Sequence, residues 1–284
     1  MKVRTLSWQW EAAAIVLITL LAAALRFYRL PELPPGLHFD EGFQGVTARS
    51  LLEGAPARLF FESDMGEEPI AIYLVAASLG LVGQHPWAIR LPSAIIGTLT
   101  VPLAWWLGRE LAFGGFLVGL GVMGRPISLR APHSGFARGG EEGVAQIVGL
   151  GTALVLAILY WHVSFSRIGM EPILVPFFVT LVFAALLRGL NTGRWPAFAL
   201  AGLALGGSLY TYKAGYFIPI AVVLFVAYVA IAERGVSKQQ GRGLLLTALL
   251  ALLVAAPILL YFATHPANFL QRPASVALLG SESP

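Results

Sequence analysis

Hydrophobic positions in this chain come in long blocks, without the strict alternation of half-buried strands. The first block runs from about Trp10 to Tyr28, holds a carboxylate only at its start, Glu11, and follows a basic N-terminus with Lys2 and Arg4. Comparable blocks cover Ala88 to Leu107, Val144 to Val163, Pro172 to Leu187, Pro196 to Tyr210, Phe217 to Ala232 and Leu244 to Phe262. Each approaches the ~20 residues with which a helix crosses the hydrocarbon core of a bilayer. The pattern predicts an all-α, polytopic transmembrane protein of about seven spans, forming one membrane domain over residues 1–284.

Two stretches break the rhythm. Residues 29–88 are mixed and hold most of the carboxylates; within them Glu41 to Glu53 and Pro69 to Val82 read as helices too short or too polar to span, and so as juxtamembrane helices of the first outer loop. Residues 111–143 pass from an apolar, Gly-rich piece into Arg125, Arg130 and Arg138, and are assigned as a cytoplasmic insertion. In this topology the inner segments carry eleven Lys/Arg against five Asp/Glu, and the outer ones eight against ten. The bias agrees with the positive-inside rule. Treating Pro69 to Val82 as a span would invert everything downstream and put the Arg-rich loops outside.

Composition sharpens this picture. The 284 residues are 57% hydrophobic and 12% charged, with mean hydropathy +0.75, where soluble domains carry roughly a quarter charged residues. An ordinary globular enzyme is excluded. The absence of cysteine removes disulfides, thiolate nucleophiles and Cys-based metal sites. A net charge of +4 with pI ≈ 9.6 suits nucleic acid binding in principle, but the basic residues sit in turns between spans, so no nucleic acid partner is expected. No small-residue cleavage site precedes Arg26 and Arg29, so the first helix is read as retained, with a cytoplasmic N-terminus in the plasma (inner) membrane.

The outer ends of these spans gather Asp40, Glu41, Glu67, Glu68, Arg90, Arg167, Glu171, Tyr210, Tyr212, Lys213, His265 and Arg272. Ionisable groups near membrane depth are costly unless paired or useful, which makes a shared outward site the working expectation. Plainer roles stand beside it. Arg90 and Arg167 at span ends suit snorkelling to headgroups, Lys213 between tyrosines suits an aromatic belt, and His265 before Pro266 suits a turn. Asp40-Glu41, after the stiff lead-in Pro34-Pro35-Gly36-Leu37-His38-Phe39, fits both a helix N-cap and acid–base chemistry.

At these residues the sequence resembles the polyprenyl-phosphate-sugar-dependent glycosyltransferases of the GT-C superfamily, in the branch of dolichyl-phosphate-mannose-protein mannosyltransferases and the aminoarabinose transferase of lipid A. The matching stretches are His38-Phe39-Asp40-Glu41-Gly42-Phe43, Gly66-Glu67-Glu68-Pro69-Ile70-Ala71-Ile72-Tyr73-Leu74 and Trp87-Ala88-Ile89-Arg90-Leu91-Pro92-Ser93-Ala94. Further on come Trp161 to Met170, Leu209-Tyr210-Thr211-Tyr212 and His265-Pro266. The resemblance implies a polyprenyl-phosphate-linked sugar as donor, a lipid, glycan or protein as acceptor, and membrane lipids around the scaffold. It implies Asp40 as catalytic residue with Glu41 as its partner. On this reading Asp40 is the general base, attack inverts the anomeric carbon, and Arg90, Arg167, Lys213 and Arg272 are candidates for the donor phosphate.

A divalent metal between Asp40 and Glu67 or Glu68 is left open by the spacing. Glu67 stands where many relatives have a basic residue. The C-terminal spans and soluble domain usual in the family are not found within residues 1–284, and the 111–143 stretch has no familiar counterpart. An inactive truncated remnant or a non-catalytic membrane subunit is therefore the alternative. A transporter of lipid-linked sugar is disfavoured because the charges stand at span ends.

Overall fold

The structure, a computed structural model, describes residues 5–62, 66–113, 138–232 and 236–269, with side chains of the third stretch from 142 onward. Its helices are α1 (Trp8–Phe27), α2 (Phe39–Leu52), α3 (Pro69–Val82), α4 (Pro86–Phe113), α5 (Arg138–Ile158), α6 (Tyr160–Arg167), α7 (Leu174–Thr192), α8 (Trp195–Ser208), α9 (Phe217–Ala232) and α10 (Lys238–Thr264). Single 3-10 turns, Glu171–Ile173 and Lys213–Tyr216, precede α7 and α9. Among the described residues there is no strand, only an isolated antiparallel pairing of Phe61 with Glu67.

Among the described residues five helices are long and apolar enough to cross a membrane: α1, α4, α7 and α9 with their 3-10 turns, and α10. The pair α5–α6 forms a sixth candidate, bent by 54°. The expected traverse from Pro196 to Tyr210 is α8, which has 14 residues and a rise of only ~21 Å. It still joins the two ends of the bundle. Before it, Gly193 O accepts from Gln239 at the start of α10; after it, Tyr210 O accepts from Ile70 N at the start of α3.

Polar contacts define those ends. At one, Glu11 on α1 accepts from Arg109 and from Trp105 Nε1 (3.0 Å) of α4 and from Gln146 Nε2 (3.1 Å) of α5. Beside it Glu110 on α4 accepts from Arg188 Nη1 (3.1 Å) and Asn191 Nδ2 (3.0 Å) of α7. At the other end Glu41 of α2 meets Arg90 at the start of α4. Both ends of α3 lie there too, since Ile70 N reaches Tyr210 O and Ser78 Oγ donates to Ala88 O at 2.6 Å. The 69–82 segment thus does not cross; Gly83, at φ 93°, turns the chain into α4.

Apolar side chains gain little from facing one another instead of lipid, so close backbone approach holds such helices together. The α8–α10 contact illustrates this: a Cβ on Gly202 would stand 2.5 Å from Thr247 O, and one on Gly206 2.6 Å from Ala251 O. α4, with Pro92 and Pro102 inside it, packs against α1, α5 and α7 and runs the full depth of the bundle.

Two sequence expectations need comment. Val144 to Val163 was expected as one continuous span, but the helix breaks at Leu159, whose backbone is extended (φ −60°, ψ 116°). No proline or glycine marks the place; the break is stabilised from α1, as described below. Most of the 111–143 insertion, residues 114–137, lies outside the described residues, as do Arg272 and the C-terminal tail from 270.

Candidate active site

The lead-in is bent over residues 33–36, with Gly36 at φ 74°, in place of the expected extended run, and delivers the chain to α2 with His38, not Asp40, at the N-cap. His38 Nδ1 accepts from Asp40 N (3.3 Å), and the Glu41 carboxylate accepts from His38 N (2.7 Å), closing a capping box. The capping role that competed for Asp40 is therefore filled by its neighbours. Asp40 keeps a side chain 36% exposed, with Oδ2 3.5 Å from His38 Nδ1.

Glu41 is buried beneath it. Arg90 Nε donates to Oε1 at 2.7 Å and Nη2 to Oε2 at 3.2 Å, while Gly169 N donates to Oε1 at 2.9 Å. Burial works against the charge, yet Arg90 and the Gly169 and His38 amides together hold the carboxyl below the usual carboxylate range. Arg90 also donates to Pro34 O (2.8 Å) and to Gly36 O. Arg167, half-buried, donates to Leu25 O, Arg26 O, Tyr28 O and Leu33 O. Both guanidinium groups thus fasten the loop between α1 and α2 to the helix ends.

One turn along α2, Gln44 donates to Glu171 in the 3-10 turn before α7. Glu171 in turn lies close enough to Glu68 to oppose its charge, and Lys213 close enough to favour it. Glu68 is 2% exposed at the N-cap of α3 and accepts from Tyr216 Oη at 2.9 Å. Burial pushes its carboxyl up, against the pull of Tyr216 and Lys213. Glu67 is buried, its backbone paired in both directions with Phe61. Tyr212 enters the Lys213 turn in extended conformation.

Tyr216 also lines an apolar cavity of about 830 Å³ between α7, α8, α9 and α10, whose walls include Leu205, Val222, Ala248, Leu259 and Phe262. Polar groups therefore form a track from the α2 N-terminus, through Gln44, Glu171, Glu68 and Lys213, to the mouth of an apolar groove. Tyr210 stands beside it, donating to Val254 O at 2.7 Å. His265 lies further out at the end of α10, stacked on Tyr261 (4.6 Å between ring centres), whose hydroxyl donates to Glu62.

The expected residues thus divide into a frame (Glu41, Arg90, Arg167), a track (Glu68, Lys213, with Glu67 and Tyr212 adjoining) and an outer group (Tyr210, His265). Gln44 and Tyr216 join the track without having been singled out in sequence; their signal was a place one turn after Asp40 and an aromatic at the head of an apolar block. Among the described residues no three His, Asp or Glu side chains converge in a manner suited to a metal ion.

The chain is similar to the S. cerevisiae protein O-mannosyltransferase Pmt1–Pmt2 complex bound to the sugar donor, with TM-score 0.65 and 19% identity over 94% of this chain. It spans 35% of that protein's chain, and the similarity is one of fold. No family profile matches the sequence, and no curated protein matches it.

Proposed function

We propose that this chain carries the catalytic end of a membrane glycosyltransferase that moves a sugar from a polyprenyl-phosphate donor to a lipid, glycan or protein acceptor. The observation that carries the proposal is Asp40: a half-exposed carboxylate directly beside a buried, fully bonded Glu41–Arg90 frame, in a fold shared with a donor-bound mannosyltransferase. In the reaction Asp40 takes the proton of the acceptor hydroxyl or amine as that atom bonds to the anomeric carbon. The bond from that carbon to the phosphate oxygen breaks, its electron pair leaves with the polyprenyl phosphate, and the configuration inverts. Glu41, Arg90 and Arg167 hold the loop that presents Asp40. Lys213 is the cation for the phosphate, and the apolar groove below Tyr216 receives the tail. No metal is assigned a step.

The test uses a short-chain polyprenyl phosphomannose with a radiolabelled sugar, membranes containing the full chain and a mixture of acceptors. Asp40→Asn should remove transfer while leaving expression and thermal unfolding unchanged. Transfer at the wild-type rate in that variant would eliminate Asp40 as the base. A wild-type chain inert towards polyprenyl phosphosugars would instead favour a non-catalytic membrane subunit.

A further inference from the structure

Arg26 is a fully buried cation in the last turn of α1 that the proposed reaction does not use. Its five N–H groups are all engaged, and none meets a carboxylate. Nε donates to Ser166 Oγ (3.2 Å), Nη1 to Ala22 O and Ala157 O (both 3.0 Å), and Nη2 to Leu156 O (3.3 Å) and His162 Nδ1 (2.8 Å). In an unbroken helix the Leu156 and Ala157 carbonyls would accept from the Tyr160 and Trp161 amides. The break at Leu159 removes those donors, and bare backbone carbonyls are costly at membrane depth unless another group satisfies them. Arg26 supplies the missing N–H groups. α4 makes room for the arrangement at Gly97, where a Cβ would fall 2.0 Å from Ser166 Oγ and 3.2 Å from Arg26 Nε.

Beyond the break, α6 leads to Arg167, which grips the loop between α1 and α2, and to Gly169, whose amide bonds Glu41 next to Asp40. We infer that Arg26 is a positioning residue: by capping the broken α5–α6 helix from within the bundle, it sets the angle at which α6 delivers Arg167 and Gly169 to the Asp40 loop. The inference rests on the reading of Asp40 as the base for its catalytic consequence, but its structural consequence is separately measurable. Arg26 acts through α6 and touches no substrate.

The chain lacks cysteine, so a single spin-label pair is clean. Val46→Cys on α2 and Trp161→Cys on α6 are 71% and 67% exposed as the native residues. In nanodiscs the pair should give one narrow distance distribution that Arg26→Met shifts or broadens. A misplacement of about 1 Å costs on the order of a hundredfold in rate, so kcat for the short-chain polyprenyl phosphomannose should fall by about that factor. KM should stay within about twofold, because donor contacts are intact. Arg26→Lys keeps the charge with three N–H groups and should fall between wild type and Arg26→Met on both readouts. If Arg26→Met does not fold, Arg26→Lys decides.

A wild-type distance distribution in the folded variant overturns the inference. So does an unchanged distance with a raised KM, which would place Arg26 on the donor. A wild-type chain without turnover would defeat the Asp40 reading alone, leaving the distance measurement to judge Arg26.

Discussion

Removing Arg90 tests the frame most directly. In Arg90→Met the buried Glu41 carboxylate loses two of its four donors, keeping the Gly169 and His38 amides. Both side chains are nearly inaccessible, 3% for Arg90 and 1% for Glu41, so breaking the pair should cost about 3–5 kcal/mol. Glu41→Leu strands the guanidinium and should cost a similar amount. In the double variant no buried charge remains. The loop groups at Pro34, Gly36 and His38 reach water, and the buried group left without a partner is the Gly169 N–H, a loss of about 1–3 kcal/mol. The double variant should therefore be more stable than either single one, with a coupling energy of roughly 3 kcal/mol or more. Unfolding in mixed micelles, followed by intrinsic fluorescence, measures all four corners of the cycle. Additive losses, roughly 6–10 kcal/mol in the double variant, would refute the idea that the two charges exist for one another.

Acid should act on the buried carboxylates Glu41 and Glu68 in opposite senses. Glu41, held below the usual range, contributes stability that is complete above about 4.3 and is lost as pH falls through its lower folded value. Glu68, pushed up, is favourable while protonated and loses stability as pH rises through its higher folded value. Glu68→Gln should thus unfold at a higher temperature than wild type at neutral pH and lose that advantage near pH 4; an advantage independent of pH would contradict this. Gly97→Ala should cost about 1–3 kcal/mol by overpacking against Ser166, with partial recovery in Gly97→Ala/Ser166→Ala. A neutral Gly97→Ala in the same micelle assay would show that α4 and α6 are not in close contact.

Long apolar blocks made the membrane fold legible, because ~20 apolar residues have few other uses. The grouping of helix ends was legible in part: the Glu11 and Glu110 networks gather α1, α4, α5 and α7 at one end and α3 begins and ends at the other, but Pro196 to Tyr210, read as a span, is a helix of 14 residues. The break at Leu159 was not legible, since the carbonyls it frees are bonded by a side chain of α1, Arg26, some 130 residues earlier. For the site, the DE pair drew attention to one loop, yet spacing cannot tell an exposed Asp40 from an enclosed Glu41. Arg90 and Arg167 stood out as cations; that their donors go to Glu41 and loop carbonyls is a tertiary fact. Gln44 and Tyr216 escaped notice because their only signals, a place one turn after Asp40 and an aromatic heading an apolar block, are shared by many residues with no polar partner.

α4 is tied at both tips, by Arg90 above and by Arg109 and Glu110 below. A mast stayed at top and bottom resists leaning, so any give in the bundle has to come from elsewhere. α9 is the looser member: Ile218, Val222 and Phe225 pack into the core against α7 and α8, but Phe217, Val223, Leu224 and Ile231 are open along its length. Amide exchange should accordingly be faster in α9 than in α4. The wall of the groove, and not the Glu41–Arg90 pair, is then the part with room to give way to an apolar chain sliding in sideways.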